Sequence, residues 1–322
     1  MKNYLLDPRG GDFVLVTDAT CDLTPEERER YGIWREVPHL SVTVNDQEVP
    51  IDNIDDFYGH LTDGSYPPDK IRTAASGPME VCEVLEEIVR KTPSDVRIIY
   101  AGTSEHISAG TKNAFAVAMK QILPEKFPER EFVAIDTMCT SNGQGLALQM
   151  LAKYEGDDLV AYAQWVGQHL AHIFTQRELA FSARSGRYGV LQSTLMKAIS
   201  GVLAPFMYFP SDDKLTIAPA LIPTRKLLEE WVSYFMAHYD ERYPVLRIGY
   251  GGDQERRRAE IFVRKLRAAG LPEDFEVQMA RVGPVVGAHT GPTVLSMFFV
   301  QKDLRPAKGK DLQWGKRHEV TE

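Results

Sequence analysis

Short apolar runs alternate with amphipathic stretches through the first half of the chain. Phe13–Thr17, Val96–Tyr100 and Phe132–Ile135 have the length and composition of buried parallel strands. Between the runs, apolar residues at helical spacing mark a helix over Pro78–Arg90, and Thr24-Pro25-Glu26-Glu27 has the form of a helix capping box. Strand and helix signals that alternate in this way predict a parallel sheet with helices on both faces.

The pattern changes after an acidic interruption at Glu155-Gly156-Asp157-Asp158. A helix is predicted over about Leu159–His172, and later strand signals at Leu203–Phe209 and Leu215–Ala220 follow one another without a helix between them, which favours a mixed sheet. We therefore predict an α/β protein of two domains. The N-terminal domain, with a parallel sheet, spans residues 1–156, and the C-terminal domain, with a mixed sheet, spans residues 157–302. Residues 303–322 are predicted to be a polar tail.

Composition narrows the class of function. The 322 residues are 43% hydrophobic and 25% charged, as in ordinary globular proteins, and the formal net charge is −8. This charge argues against nucleic-acid binding, which needs clustered cations. Three cysteines without paired spacing, no signal-peptide pattern and no apolar stretch of roughly 20 residues predict a cytoplasmic protein without a transmembrane segment.

Common catalytic signatures are missing from the sequence, which has neither a P-loop pattern nor a Gly-x-Ser-x-Gly elbow. His169 and His172 lie three residues apart on a predicted helix, but a third metal ligand is not evident, so ordinary histidines are favoured over a metal site. Cys139 at a strand–helix turn would need a positioned base, for which His289 is the one candidate; a packed small residue is favoured. We predict no metal, no cofactor and no catalytic residue.

Hydroxyl-bearing turns recur where predicted strands end and helices begin. They lie at residues 16–23, 71–78, 101–111, 135–145 and 285–292. In an open α/β sheet such turns gather at one edge, where small ligands bind. Hydroxyls, backbone N–H groups and helix N-termini that converge there favour an anionic head group. The turns therefore predict a binding site for a small acid.

Together these turns resemble the motifs of the DegV family of bacterial fatty-acid-binding proteins, over about residues 12–300. The similar segments are Asp18-Ala19-Thr20-Cys21-Asp22-Leu23, Thr73-Ala74-Ala75-Ser76, Ser104-Glu105-His106-Ile107-Ser108-Ala109-Gly110, Asp136-Thr137-Met138-Cys139-Thr140-Ser141-Asn142-Gly143-Gln144-Gly145, Ser185-Gly186-Arg187, Pro223-Thr224-Arg225 and Gly287-Ala288-His289-Thr290-Gly291-Pro292. Ala19, Ala74, Ala75 and Glu105 depart from the family pattern, so the chain resembles a divergent member.

The resemblance implies that the protein binds a long-chain fatty acid in a buried tunnel between its domains. The residues implied to hold the carboxylate are Thr73, Ser104, Ser108 and His289. The implied partner is a separate ATP-dependent fatty acid kinase, to which a monomeric, non-enzymatic binding protein presents the carboxylate for acyl-phosphate formation.

Several of the candidate residues have more than one possible role. Arg187 and Arg225 are candidates for contact with the head group or the kinase. Thr73, Ser104 and Ser108 have helix capping as their alternative role, and Arg187 has a surface salt bridge. Asp18 and Asp136 are predicted to organise turns by accepting backbone N–H bonds.

Two other functions remain as alternatives. One is an enzyme that acts on a small acid or an acyl phosphate, with Cys139 or His289 as a catalytic residue. The other is a divergent member that has lost lipid binding, which the alanines at positions 19, 74 and 75 suggest. The sequence does not indicate the length or saturation of the acyl chain.

Overall fold

The chain folds into two compact units and passes from one to the other three times. The structure, a computed structural model, describes residues 5–6, 12–156, 158–183, 203–204, 207–210, 216–217 and 222–306. The first unit consists of Met1–Val49 and Arg72–Gln168, and the second of Pro50–Ile71 and His169–Glu322. This division differs from the predicted boundary in two places. The second unit begins at residue 169 rather than 157, and it also includes the segment Pro50–Ile71.

A four-stranded sheet forms the centre of the first unit. In spatial order its strands are Leu5–Leu6, Asp12–Val16, Arg97–Gly102 and Phe132–Asp136. The last three strands are parallel, and the first pairs antiparallel at the edge. A separate three-stranded sheet has the order Gln47–Glu48, Ser41–Val44 and Ile71–Ala74.

Helices pack against both faces of the four-stranded sheet, as the alternating pattern predicted. The α-helices of this unit are Pro25–Arg30, Pro78–Lys91, Ala109–Val117, Leu123–Lys126, Ser141–Ala152 and Leu159–His169, with a 3₁₀ turn at Ala19–Cys21 and a π turn at Ala118–Ile122. Val14 and Ile98 belong to one core cluster, whereas Leu15 and Ile99, their neighbours in the strands, belong to another. Because successive strand residues face opposite sides, both faces need apolar residues, which explains the continuous apolar runs.

Local capping signals behave as the sequence predicted. Thr24 Oγ1 accepts a hydrogen bond from Glu27 N at 3.1 Å, and Glu27 Oε2 accepts one from Thr24 N at 2.9 Å. This reciprocal pair is a capping box, and Pro25 follows at the first helical position.

A six-stranded mixed sheet forms the second unit. In spatial order its strands are Thr216–Ile217, Met207–Tyr208, Leu170–Gln176, Val294–Val300, Val245–Tyr250 and Glu276–Arg281. Only the last two strands of this series are parallel. Leu203–Ala204 and Ile222–Pro223 form a further two-stranded ladder. The predicted α/β class, with one parallel and one mixed sheet, is confirmed.

The helices of the second unit are Ile54–Asp63, Ala180–Ala183, Leu227–His238, Asp253–Ala268 and Pro284–Thr290, with a 3₁₀ turn at Thr224–Lys226. Trp231 and Phe235 of one helix and Phe262 of another share a buried cluster with Ile173 and Phe299 of the sheet. This cluster is the core of the unit and covers one face of its sheet.

The segment Leu170–Gln176 corrects a sequence prediction. The helix predicted to run to His172 ends at His169, and the next seven residues form a strand in the interior of the six-stranded sheet. This strand pairs on one side with Val294–Val300 and on the other with Met207–Tyr208. The sheet partners lie more than 30 residues away in sequence, so local helical spacing could not reveal them.

The helix Ile54–Asp63 belongs to the second unit because of Tyr58. Its hydroxyl donates a buried hydrogen bond to Val282 O at 2.9 Å. Its ring also lies so close to Gly287 and Gly251 that a Cβ on these glycines would come within 2.7 and 3.1 Å of Tyr58 atoms. Arg281 adds ion pairs to Asp55 and Asp253 at 2.8 and 2.7 Å. These contacts place the inserted helix in the core of the second unit.

Candidate functional site

Asp18 lies just after the strand Asp12–Val16 and organises the carboxyl-terminal edge of the parallel sheet. Its carboxylate is 1% exposed and accepts hydrogen bonds from the backbone N–H and the hydroxyl of Thr20, from Tyr100 Oη at 2.7 Å, from Thr103 N at 3.0 Å and from Gln144 Nε2 at 3.3 Å. Burial, and then the negative charge of Asp18, raises the pKa of Tyr100 well above its usual value. The phenol therefore stays protonated and donates. Asp18 thus connects its own turn to the turn that contains Thr103 and to the helix Ser141–Ala152.

Asp136, the last residue of the strand Phe132–Asp136, also accepts hydrogen bonds from neighbouring turns. Its two oxygens accept from Glu105 N at 3.0 Å and from Met138 N at 2.7 Å. The neighbouring Thr137 hydroxyl donates to Gly102 O at 2.8 Å. These bonds fix the turn after residue 102 against the turn after residue 136, and both turns carry hydroxyl side chains.

Ser104 carries a buried hydroxyl and lies in the chain between Thr103 and Glu105, whose backbone N–H groups donate to Asp18 and Asp136. It is 3% exposed, its backbone N–H donates to Cys139 O at 2.8 Å, and its Oγ accepts from His106 N at 3.3 Å. Within the described part of the chain, the Ser104 hydroxyl donates to no acceptor. Its proton is therefore available to a ligand oxygen.

Ser108 has a local structural role. Its Oγ accepts from Thr111 N at 3.4 Å and lies 2.9 Å from Thr111 Oγ1, at the N-cap of the helix Ala109–Val117. This is the capping role that the sequence left open beside ligand binding. The two roles differ in what they require: a cap accepts a hydrogen bond, whereas a carboxylate ligand needs a donor.

Thr73 lies in a strand rather than in the turn expected from the sequence. It is half-buried in Ile71–Ala74, at the edge of the three-stranded sheet. Two residues later, Ala75 Cβ lies 3.6 Å from the position that a Cβ on Gly110 would take. The end of the Thr73 strand is thus adjacent to the start of the helix that Ser108 caps.

The N-terminus of the helix Ser141–Ala152 is occupied by the protein's own carboxylate. Asp22 Oδ2 accepts from the Ser141 hydroxyl and from Asn142 Nδ2 at 3.3 Å. Gly145 allows this helix to approach the preceding turn, because a Cβ there would lie 2.6 Å from Cys21 O. A helix N-terminus favours one anion. Asp22 already supplies this anion from within the protein.

His289, in the second unit, lies in the last turn of the helix Pro284–Thr290 and is half-buried. The sequence predicts a turn over residues 285–292, whereas Pro284–Thr290 is a helix. Gly287 is packed against Tyr58, and Gly291, with a φ of +74°, is packed against the ring of Phe181. The two glycines are therefore required by contacts within the protein.

Arg225 and Arg187 are the two arginines predicted to contact the head group or the kinase. Arg225 is exposed in the 3₁₀ turn Thr224–Lys226 and forms no hydrogen bond or ion pair with any residue that the structure describes. Arg187 lies outside the described residues.

The second unit carries a cavity of about 430 Å³ that contains none of the predicted site residues. Its apolar floor is formed by Leu61, Leu179 and Phe181, and Tyr66 and Glu178 lie at its rim. The cavity lies between the end of the inserted helix and the segment that follows the strand Leu170–Gln176.

The sheet of the second unit also has a buried aromatic face, opposite the helical core. We define it by Phe174, Phe209, Phe298, Met207 and Val294, all less than 9% exposed. The alternate residues of the same strands, such as Ile173 and Met297, belong to the core cluster on the other face. These five side chains form a buried apolar surface.

The sequence alternatives with catalytic groups gain no geometric support. His172 is on a strand, so the helical pairing with His169 does not exist, and no cluster of three or more potential metal ligands occurs among the described residues. Cys139 is fully buried, and its carbonyl serves as the acceptor for Ser104 N. No helix in the described ranges is both long and apolar enough to cross a membrane.

Sequence reasoning missed Tyr100, Thr103 and Gln144, the donors that hold Asp18 in place. Tyr100 is 82 residues and Gln144 is 126 residues from Asp18 along the chain. The only signal for them is indirect, since a polar group at the end of an apolar strand or inside a buried helix needs a hydrogen-bond partner.

The geometry defines a class of protein with two α/β units, one with a hydroxyl-bearing edge on a parallel sheet and the other with a buried aromatic face on a mixed sheet. A family model described as "uncharacterised protein, DegV family" matches residues 12–302. A DegV domain-containing protein of Clostridium perfringens is 25% identical over 309 residues, which are 91% of this chain and 99% of the relative. The chain belongs to the DegV family.

Solved structures share the fold. A fatty-acid-binding DegV family protein from Thermus thermophilus has a TM-score of 0.73 at 21% identity and covers 90% of this chain and 99% of that one. A stearic-acid-binding protein from Eubacterium ventriosum has a TM-score of 0.72 at 18% identity, with coverage of 90% and 98%. A DegV family protein from Eubacterium eligens, loaded with heptadecanoic acid, has a TM-score of 0.70 at 18% identity, with coverage of 90% and 100%.

Proposed function

We propose that this protein binds a long-chain fatty acid and presents the carboxylate to a separate ATP-dependent fatty acid kinase for acyl-phosphate formation. The observation that carries the proposal is Ser104, a buried hydroxyl with an available proton at the sheet edge. A neutral hydroxyl can satisfy one carboxylate oxygen without holding it as firmly as a bidentate arginine. An oxygen held in this way remains nucleophilic towards a phosphate that a partner brings. Thr73 and His289 are proposed as further donors.

The acyl chain is proposed to pack on the aromatic face of the second unit, and the predicted tunnel between the domains is part of this proposal. Each buried methylene contributes about 0.8 kcal/mol. A long chain can thus offset the cost of association, several kcal/mol or more, and still bind tightly. The stearic and heptadecanoic acids named for the related proteins support a chain of this length class.

The protein is proposed to have no catalytic machinery of its own. The two carboxylates at the sheet edge, Asp18 and Asp136, both accept hydrogen bonds from their own chain and hold turns in place. A carboxylate used in this way is poorly placed to act as a general base. We also propose that the protein is a cytoplasmic monomer.

The test is native mass spectrometry of the purified full chain, followed by lipid extraction. We expect one fatty acid per protein. Ser104→Ala removes a hydrogen bond to a charged group, so affinity for added fatty acid should fall about 10- to 100-fold. Ser94→Ala is the matched control, because Ser94 is exposed in the same unit and its loss should leave affinity unchanged.

The second arm adds a purified fatty acid kinase and ATP to the loaded protein and measures acyl phosphate. Product should require both proteins, and the Ser104 variant should yield less at limiting fatty acid. A chain that neither carries nor takes up any fatty acid would refute the binding proposal. Turnover by this protein without the kinase would refute the claim that it lacks catalytic machinery.

A further inference from the structure

The aromatic face contains one residue that does not fit an apolar seat. His172 is 4% exposed, and its ring lies 4.1 Å from the ring of Phe209 and 4.6 Å from that of Phe298, measured between centroids. Its Nδ1 is fully buried, and no residue in the described part of the chain forms a hydrogen bond with it. Burial, and then the nearby Arg305, lowers the pKa of His172 well below its usual value, so the imidazole is neutral.

A second polar group lies on the same side of the same strand. Gln176 is fully buried, its Nε2 donates to the Ser182 hydroxyl, and its Oε1 has no partner among the described residues. Rotating the amide by 180° would leave Nε2 rather than Oε1 without a partner, so one polar atom of Gln176 is unpaired in either orientation. His172 and Gln176 are about 13 Å apart along the strand, with Phe174 between them.

Buried polar groups without partners are rare because each one destabilises the folded protein. A leucine or phenylalanine at position 172 would fill the aromatic face without this cost. Arg305 does not compensate, since its Nε donates to Leu170 O at 2.6 Å rather than to the imidazole. A ligand group that pairs with Nδ1 would remove the cost in the bound state.

We propose that His172 makes the protein selective for fatty acids that carry a hydroxyl group within the acyl chain. The inference rests on the proposed function, because it takes the aromatic face as the seat of the chain. A neutral imidazole presents Nδ1 either as a donor or as an acceptor, depending on the tautomer. A hydroxyl is both donor and acceptor and pairs with either form, whereas an unsubstituted chain pairs with neither.

The experiment titrates the delipidated full-length protein with stearic acid and with hydroxystearic acids whose hydroxyl lies at successive mid-chain positions. The ratio of Kd values is the readout. We expect about tenfold or greater preference for at least one hydroxy isomer. His172→Phe should abolish or reverse that preference. Phe174→Leu is the matched control, since it alters the apolar seat alone and should change all the affinities alike.

A second measurement reports on the imidazole directly and needs no variant. In protein labelled with ¹⁵N-histidine, the Nδ1 resonance of His172 should shift on binding of the preferred hydroxy acid and shift much less with stearic acid. If the wild type binds stearic acid and every hydroxy isomer equally, and the His172 resonance does not distinguish them, the selectivity is refuted while fatty-acid binding stands. If no acid binds at all, the proposed function itself fails.

Discussion

Replacing Asp18 by asparagine tests how the sheet edge is held in shape. The substitution keeps the size of the side chain and removes its charge. The native carboxylate accepts five hydrogen bonds, of which those from Thr20 N, Tyr100 Oη and Thr103 N are 2.7 to 3.0 Å long. An asparagine can accept only at its oxygen, and its amide would face donors on the other side.

The expected loss follows from this count. At least two of the bonds to the Asp18 carboxylate must break, and each hydrogen bond to a charged group contributes about 1.5–3 kcal/mol. Asp18→Asn should therefore lower the free energy of unfolding by about 3–6 kcal/mol. It should also loosen the turn that leads from Thr103 into Ser104, so affinity for fatty acid should fall as well.

Urea unfolding followed by circular dichroism, together with fatty-acid titration, measures both effects. Asp95→Asn is the matched control, because Asp95 is exposed in the same unit. It should change neither quantity. If Asp18→Asn stays within about 1 kcal/mol of the wild type, within the range of an ordinary surface substitution, then Asp18 does not hold the edge together and the reasoning is wrong.

Three further predictions concern packing and pH. Gly145→Ala should destabilise the protein by about 1–3 kcal/mol, because its Cβ would lie 2.6 Å from a backbone oxygen. Gly59→Ala should stabilise it by about 0.5–1 kcal/mol, because Gly59 lies in a helix and a Cβ there would have no atom within 4 Å. Thermal melts compare the two variants. Tyr58→Phe should cost about 1–2 kcal/mol through the lost buried hydrogen bond, measured by urea unfolding; no change would refute its role in fixing the inserted helix. Because the pKa of His172 is lowered in the folded state, the unfolded state alone binds its proton below about pH 6.5, and stability falls as the pH falls. The stability of His172→Phe relative to the wild type should therefore rise as the pH falls from 7.5 to 5.5, and a pH-independent difference would contradict the shift.

Elements with local signals could be predicted closely from the sequence. The apolar run Val245–Tyr250 predicts a strand, and the strand has these bounds; the helix predicted over Pro78–Arg90 extends one residue further, to Lys91. In each case the apolar spacing and the residues that end the element lie within the element itself. The strand Leu170–Gln176 could not be predicted because its stability comes from partners at Met207–Tyr208 and Val294–Val300.

The placement of the inserted helix has the same cause. The sequence predicts a helix over Ile54–Leu61, which ends two residues later, at Asp63. Its assignment to the second unit depends on Tyr58 fitting against Gly251 and Gly287, which lie about 200 residues away. Nothing local to residues 50–71 encodes that contact.

The candidate site divides in a similar way, between residues whose roles are local and residues whose roles depend on distant partners. The turn motifs point to Asp18, Asp136, Ser104 and Ser108, and all four lie at strand ends or at a helix start. Which of these groups remains available to a ligand depends on hydrogen bonds across the sheet edge, such as that from Tyr100 to Asp18. A sequence motif alone does not separate a hydroxyl that caps a helix from one whose proton is available.

The proposed binding of an acid by this acidic protein requires that the charges at the sheet edge be compensated. Asp18, Asp22 and Asp136 lie in the same turns as the hydroxyls, and a ligand carboxylate near them would be repelled if their charge were not compensated. Each accepts hydrogen bonds from donors of its own chain, including Thr103 N for Asp18, Asn142 Nδ2 for Asp22 and Met138 N for Asp136. Those backbone and side-chain donors offset the negative charge, and the hydroxyl of Ser104 is a neutral donor beside them. The proposed binding mode therefore needs no paired cation at this edge, and a carboxylate held without one is easier to release to the proposed partner.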